Sequence, residues 1–115
     1  MGAVELTFSS SKLAKLCSSY DQMVRQFGPR MAARLAMRLQ QIEAATSLAD
    51  LRHLSQLRAH ELVGDRDEQI SLDLVHPFRL ILQVANDPVP RLAEGGLDWS
   101  FATSVIVLEV TDTHG

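Results

Sequence analysis

The chain has 115 residues, 46% of them apolar and 22% charged, with a net charge of −3 at pH 7. That length supports one domain with a single hydrophobic core and is too short for two. No apolar run nears the roughly 20 residues that cross a bilayer, and the one cysteine, Cys17, excludes an internal disulfide.

A lone cysteine suits a reducing cytoplasm, and no basic start leads into an apolar stretch as a secretory signal would. Charge is unevenly spread. Residues 1–57 carry seven Lys/Arg against four Asp/Glu, a balance of +3; residues 58–115 carry four against ten, a balance of −6. Electrostatic attraction of the whole protein to polyanions is therefore weak, although a local basic surface remains compatible with it.

Residues 4–8 alternate apolar and polar side chains and predict a short strand. The serines 9–11 offer a helix cap. Leu13, Leu16, Cys17, Tyr20, Val24 and Phe27 then recur at steps of three and four, one apolar face of an amphipathic helix. Gly28-Pro29 ends it and starts another, since glycine suits a helix end and proline a first turn. The second helix runs to about residue 45 with Met31, Leu35, Leu39 and Ile42 on its apolar face, so the pair forms an antiparallel hairpin. Arg30, Arg34 and Arg38 repeat every four residues and predict a stripe on another face. It is either a solvated face or a ridge for RNA phosphates or an acidic partner.

Residues 47–57 predict a short capped helix and a crossing into a sheet. Residues 58–82 (RAHELVGDRDEQISLDLVHPFRLIL) read as strand, Gly-Asp turn, strand, His-Pro turn and strand. A brief strand is expected over 57–62. Residues 68–74 alternate, with Ile70, Leu72 and Leu74 on one side and Gln69, Ser71 and Asp73 on the other. Residues 78–85 are apolar on both faces, as in a central strand. Residues 86–100 (NDPVPRLAEGGLDWS) predict a long surface loop of a length usually functional or mobile, with Trp99 and Phe101 folding back onto the body. Residues 105–110 predict a last strand. The fold class expected is α+β, a helical hairpin packed on a twisted, mainly antiparallel sheet.

Arg58, His60, Arg66 and Arg79 lie along the central meander. If the period of two turns them to one face, they form a cationic floor suited to a phosphate backbone. Metal ligation is disfavoured: His60, His76 and His114 match no zinc-ligand spacing, and Cys17 reads as core. No glycine-rich phosphate loop is present, and no cofactor is expected. Metal-independent RNA cleavage fits better. A base takes the 2′-hydroxyl proton, the 2′-oxygen attacks the phosphate, and an acid protonates the departing 5′-oxygen. Arg66 and Arg79 are candidates to stabilise charge growing on the phosphoryl oxygens; His60, Asp112 and His114 are candidates for proton transfer. The plainer readings are a solvated Arg66, a His60 bonded across strands, and a polar tail at Asp112 and His114.

Three segments, Arg58-Ala59-His60-Glu61-Leu62-Val63-Gly64-Asp65-Arg66, His76-Pro77-Phe78-Arg79-Leu80-Ile81 and Glu109-Val110-Thr111-Asp112-Thr113-His114, resemble the RelE/ParE superfamily of toxins from bacterial toxin–antitoxin systems, closest to the HigB (host inhibition of growth) branch. The resemblance extends over nearly the whole chain. It implies a RelE-like fold, cleavage of mRNA on the translating ribosome, growth arrest, and neutralisation by a cognate helix-turn-helix antitoxin (HigA-like). By position it implies active-site roles for His60, Arg66, Arg79, Asp112 and His114. Two positions depart from the family pattern: Val63 stands where a lysine is frequent, and Thr113 where a tyrosine is usual. The first loses a cation, the second a ring able to stack on a base. A non-catalytic module of the same fold, a gyrase inhibitor or a toxin that binds only its antitoxin, is the alternative reading.

Overall fold

Helix boundaries follow the capping residues. A computed structural model describes residues 3–112. After strand β1 (Glu5–Phe8), helix α1 (Ser11–Cys17) starts where the Ser10 hydroxyl accepts from the Leu13 N–H. The single helix expected over 13–27 is in fact two. Ser18 closes α1, Ser19 is extended, and its hydroxyl caps α2 (Tyr20–Phe27) by accepting from the Gln22 N–H. Serine hydroxyls offer the backbone an alternative to helical bonds, so two in a row break a helix that the apolar spacing alone predicts as continuous. Gly28, with φ +85°, and Pro29 then turn the chain into α3 (Pro29–Ala44). That positive φ is a conformation glycine adopts without a Cβ penalty.

Beyond α3, the short helix α4 (Ala49–Arg52) and a 3-10 turn (Ser55–Leu57) lead into the sheet. Its remaining strands are β2 (His60–Glu61), β3 (Gln69–Asp73), β4 (Phe78–Val84) and β5 (Ser104–Asp112). The order is β1-β5-β4-β3-β2. β5, β4, β3 and β2 pair antiparallel and β1 lies parallel to β5, so the fold is α+β with a mixed sheet. The strand expected over 57–62 shrinks to two residues, because Arg58 adopts a left-handed turn at φ +46° instead of extending.

The helices cover one face. Met31, Leu35, Leu39 and Ile42 of α3 share a core with Ile70, Leu72, Leu80, Leu82, Val105 and Val107. Each fully buried leucine or isoleucine contributes about 2 kcal/mol of apolar transfer, so this layer is the main source of stability. β4 is buried on both faces as expected for a central strand: Leu80 and Leu82 join the core, while Ile81 lies outside that cluster yet is only 1% exposed. No described helix is long and apolar enough to cross a membrane.

The 86–100 segment is more structured than a plain loop. Arg91 and Leu97 bridge across a tight reversal in which the Leu92 N–H donates to the Gly96 carbonyl at 2.7 Å. Leu97 and Trp99 are buried in the core, as the fold-back expectation required of Trp99. Phe101 departs from it: the residue is 68% exposed, because the 3-10 turn Trp99–Phe101 inserts one aromatic and turns the other out.

Candidate functional site

Strand alternation sorts the chemistry onto the face away from the helices. His60, Ser71, Ile81 and Glu109 occupy one row across β2, β3, β4 and β5; Asp73, Arg79 and Thr111 occupy the next. Opposed residues on neighbouring strands share a face, and Ile81 in the first row lies outside the core cluster, so both rows stand on the face away from the helices, where Ser71 and Ile81 are themselves covered. Arg66 leaves the turn between β2 and β3 and crosses this face. Its Nε donates to Gln69 Oε1 at 3.0 Å and its Nη2 to Glu109 Oε2 at 3.1 Å, so it spans β4 to reach β5. His60, Arg66 and Arg79 are thus gathered on one surface.

The expected cationic floor is a mixed one. Arg79 Nη1 donates to Asp73 Oδ1, Arg58 Nε lies 3.7 Å from Asp73 Oδ2, and Arg66 is paired with Glu109. A phosphate entering here exchanges places with carboxylates rather than meeting bare guanidinium groups. Asp73 and Glu109 were not among the site residues expected from sequence. Asp73 was legible as a polar-face residue, but its opposition to Arg79 is a matter of register, which no linear pattern specifies.

His60 is exposed, and its Nδ1 lies 2.8 Å from the Arg58 carbonyl oxygen. A carbonyl only accepts, so the bond requires hydrogen on Nδ1. In the neutral ring Nε2 then carries the free lone pair, the tautomer a general base needs. The left-handed backbone at Arg58 brings that carbonyl back toward the ring two residues on.

Other expected residues lie elsewhere. Arg38 is 1% exposed and is not part of a surface stripe. Its Nε donates to the Asp73 carbonyl at 2.8 Å, its Nη1 to Gln41 Oε1 at 3.1 Å and its Nη2 to the Gln56 carbonyl at 3.4 Å. A four-residue step advances about 400° around a helix, so 30, 34 and 38 drift by about 80° and the last falls onto the buried face. Burial lowers the pKa of Arg38, the nearby Arg34 cation adds to that, and Asp73 opposes it. Arg30 is exposed and Arg34 half-buried on α3, in the layer behind the sheet, so they do not extend the surface that carries His60.

Asp112 pairs with Phe78, which packs against the core, so its register is with the helix-facing side rather than with Arg79 and Thr111. His114 lies outside the described residues. Burial pushes the Cys17 thiol up to about 11, which keeps it protonated and unreactive near neutrality. Among the described residues no three His, Cys, Asp or Glu side chains gather as a metal-ligand set. A cavity of about 440 Å³ lies apart from His60, between α1, α2 and β5; Leu13, Leu16 and Phe27 line it, and Glu109 borders both it and the row that carries His60.

Compared with known proteins, the chain matches no family model, no curated protein and no solved structure.

Proposed function

We propose that this chain is a RelE-fold, HigB-like toxin of a type II toxin–antitoxin system, acting as a metal-independent, ribosome-dependent mRNA endoribonuclease. The observation that carries the reading is the placement of His60, Arg66 and Arg79 on the one sheet face that turns away from the helices, with the His60 Nδ1 engaged by the Arg58 carbonyl. The segments resembling the RelE/ParE superfamily lend it further support.

In this mechanism His60 Nε2 takes the proton from a ribose 2′-hydroxyl, and the freed oxygen attacks the adjacent phosphorus. Arg79 and Arg66 move from their carboxylates to the phosphoryl oxygens and stabilise the charge that builds there. His114, outside the described residues, is the group proposed to protonate the departing 5′-oxygen; Asp112, in register with the helix-facing side, is given no part in that transfer. A helix-turn-helix antitoxin is the partner that silences the free toxin.

A specific observation favours a second reading. Arg58, Arg66 and Arg79 all face carboxylates, so the face carries little net positive charge. That suits a non-catalytic RelE/ParE-fold module, a gyrase inhibitor or a toxin reduced to antitoxin binding.

Induced expression with growth curves and mapping of cellular mRNA 5′ ends separates the two. The ribonuclease reading expects discrete cuts and growth arrest from the wild type, and neither from folded His60→Ala or Arg79→Ala. Full arrest by a folded Arg79→Ala variant overturns it. Intact transcripts with DNA damage favour gyrase instead.

A further inference from the structure

The twelve residues between Leu57 and Ile70 carry His60 and Arg66, and none of them is fully buried. Apolar burial therefore does little to hold this segment. Its ladder to β3 is short: two paired positions plus the Leu62 N–H to the Gln69 carbonyl at 2.9 Å. An edge of that length frays unless something else ties it down.

The 86–101 segment ties it at two points, each next to a site residue. Glu61, the neighbour of His60, turns toward the core side, where its Oε1 accepts from the Trp99 indole N–H at 2.8 Å. Trp99 is itself buried, and Arg52 lies over its ring at 3.8 Å and 3.7 Å from Glu61 Oε1. Asp67 and Glu68 follow Arg66, and both are held by Arg91 Nη2, at 3.1 Å from Asp67 Oδ2. Arg91 Nη1 donates to the Gly95 carbonyl at 3.1 Å, which locks the arginine into its own reversal.

We propose that residues 86–101 are a strap whose Trp99 and Arg91 position His60 and Arg66 for the reaction. The strap carries the rigidity of the core, through Leu97 and Trp99, outward to an edge that lacks a core of its own. Arg91, Trp99 and Glu61 are positioning residues: they act on the site through Glu61, Asp67 and Glu68. The effect on rate rests on the ribonuclease reading above; the effect on the edge does not.

Two variants and two readouts test it. Arg91→Ala removes the lower tie. Trp99→Phe keeps an aromatic ring in the core and removes the indole donor together with part of the ring volume. Amide hydrogen exchange is expected to rise roughly ten-fold or more over residues 60–68 in each, with amides of β4 and β5 unchanged. In ribosome-dependent cleavage, kcat is expected to fall roughly ten-fold while KM moves less than about two-fold, since displaced groups lose transition-state contacts first. Glu61→Gln keeps the acceptor for Trp99 and is expected to retain protection of 60–62, whereas Glu61→Ala is not. Unchanged exchange over 60–68, or equal acceleration throughout the sheet, overturns the proposal. A wild-type protein that cuts no RNA overturns the ribonuclease reading and leaves the exchange result to decide the strap.

Discussion

Arg79 on β4 and Asp73 on β3 sit at one register position and are hydrogen-bonded, Nη1 to Oδ1, with 23% and 21% of their side chains exposed. Removing either partner leaves a mostly desolvated charge. Asp73→Ala is expected to cost about 1–3 kcal/mol, the range for a half-shielded ionic hydrogen bond. In Arg79→Ala, Arg58 Nε at 3.7 Å remains beside Asp73. The double variant is expected to lose roughly 1 kcal/mol less than the sum of the singles. Urea unfolding of the four proteins measures this, and strict additivity rejects the coupling.

The arginines of α3 are expected to separate by burial. Arg38→Met keeps the stem and removes donors to the Asp73 and Gln56 carbonyls, at a cost of about 2–4 kcal/mol. Arg30→Ala is expected to stay within about 0.5 kcal/mol of wild type, because its side chain is exposed. Thermal denaturation distinguishes these. Equal, small effects at both positions contradict the structural role of Arg38.

Ser71 stands beside His60 on the face away from the helices, and its buried hydroxyl has no hydrogen-bond partner among the described residues. An unmade bond of that kind costs free energy that alanine avoids. Ser71→Ala is therefore expected to be neutral or to stabilise by up to about 1 kcal/mol, read as a rise in Tm. A fall in Tm shows that the hydroxyl is satisfied in solution.

Acid sensitivity is expected at Asp50. Its Oδ2 accepts from the Thr46 N–H at 2.8 Å and the Thr46 hydroxyl at 2.9 Å, and these bonds hold its carboxyl below the usual aspartate range. The folded state then binds the proton less readily than the unfolded chain. The contribution is complete above the unfolded pKa of about 4 and is lost as pH falls through the lower, folded one, so stability drops with acid below about pH 4. Asp50→Asn is expected to flatten that part of the stability–pH curve. An unchanged slope assigns the acid sensitivity to other carboxylates.

Periodicity made much of the architecture readable. Steps of three and four marked Met31, Leu35, Leu39 and Ile42 as a buried face, and alternation put Ile70 and Leu72 opposite Gln69, Ser71 and Asp73. Those signals survive in one dimension because a helix and a strand repeat at fixed periods. The break at Ser18 and Ser19 left the apolar spacing undisturbed and so was invisible to it. Arg38 was misplaced because a step of four is close to, but not equal to, one helical turn.

By itself, then, the amino-acid order determined which side chains could share a face and where the chain had to turn. Tertiary structure alone decided which charges meet: Asp73 with Arg79, Glu109 with Arg66, and Arg91 with Asp67 and Glu68. The physical reason is that backbone period is a local property of the chain, whereas strand register and the path of a long connection depend on packing between residues far apart in sequence.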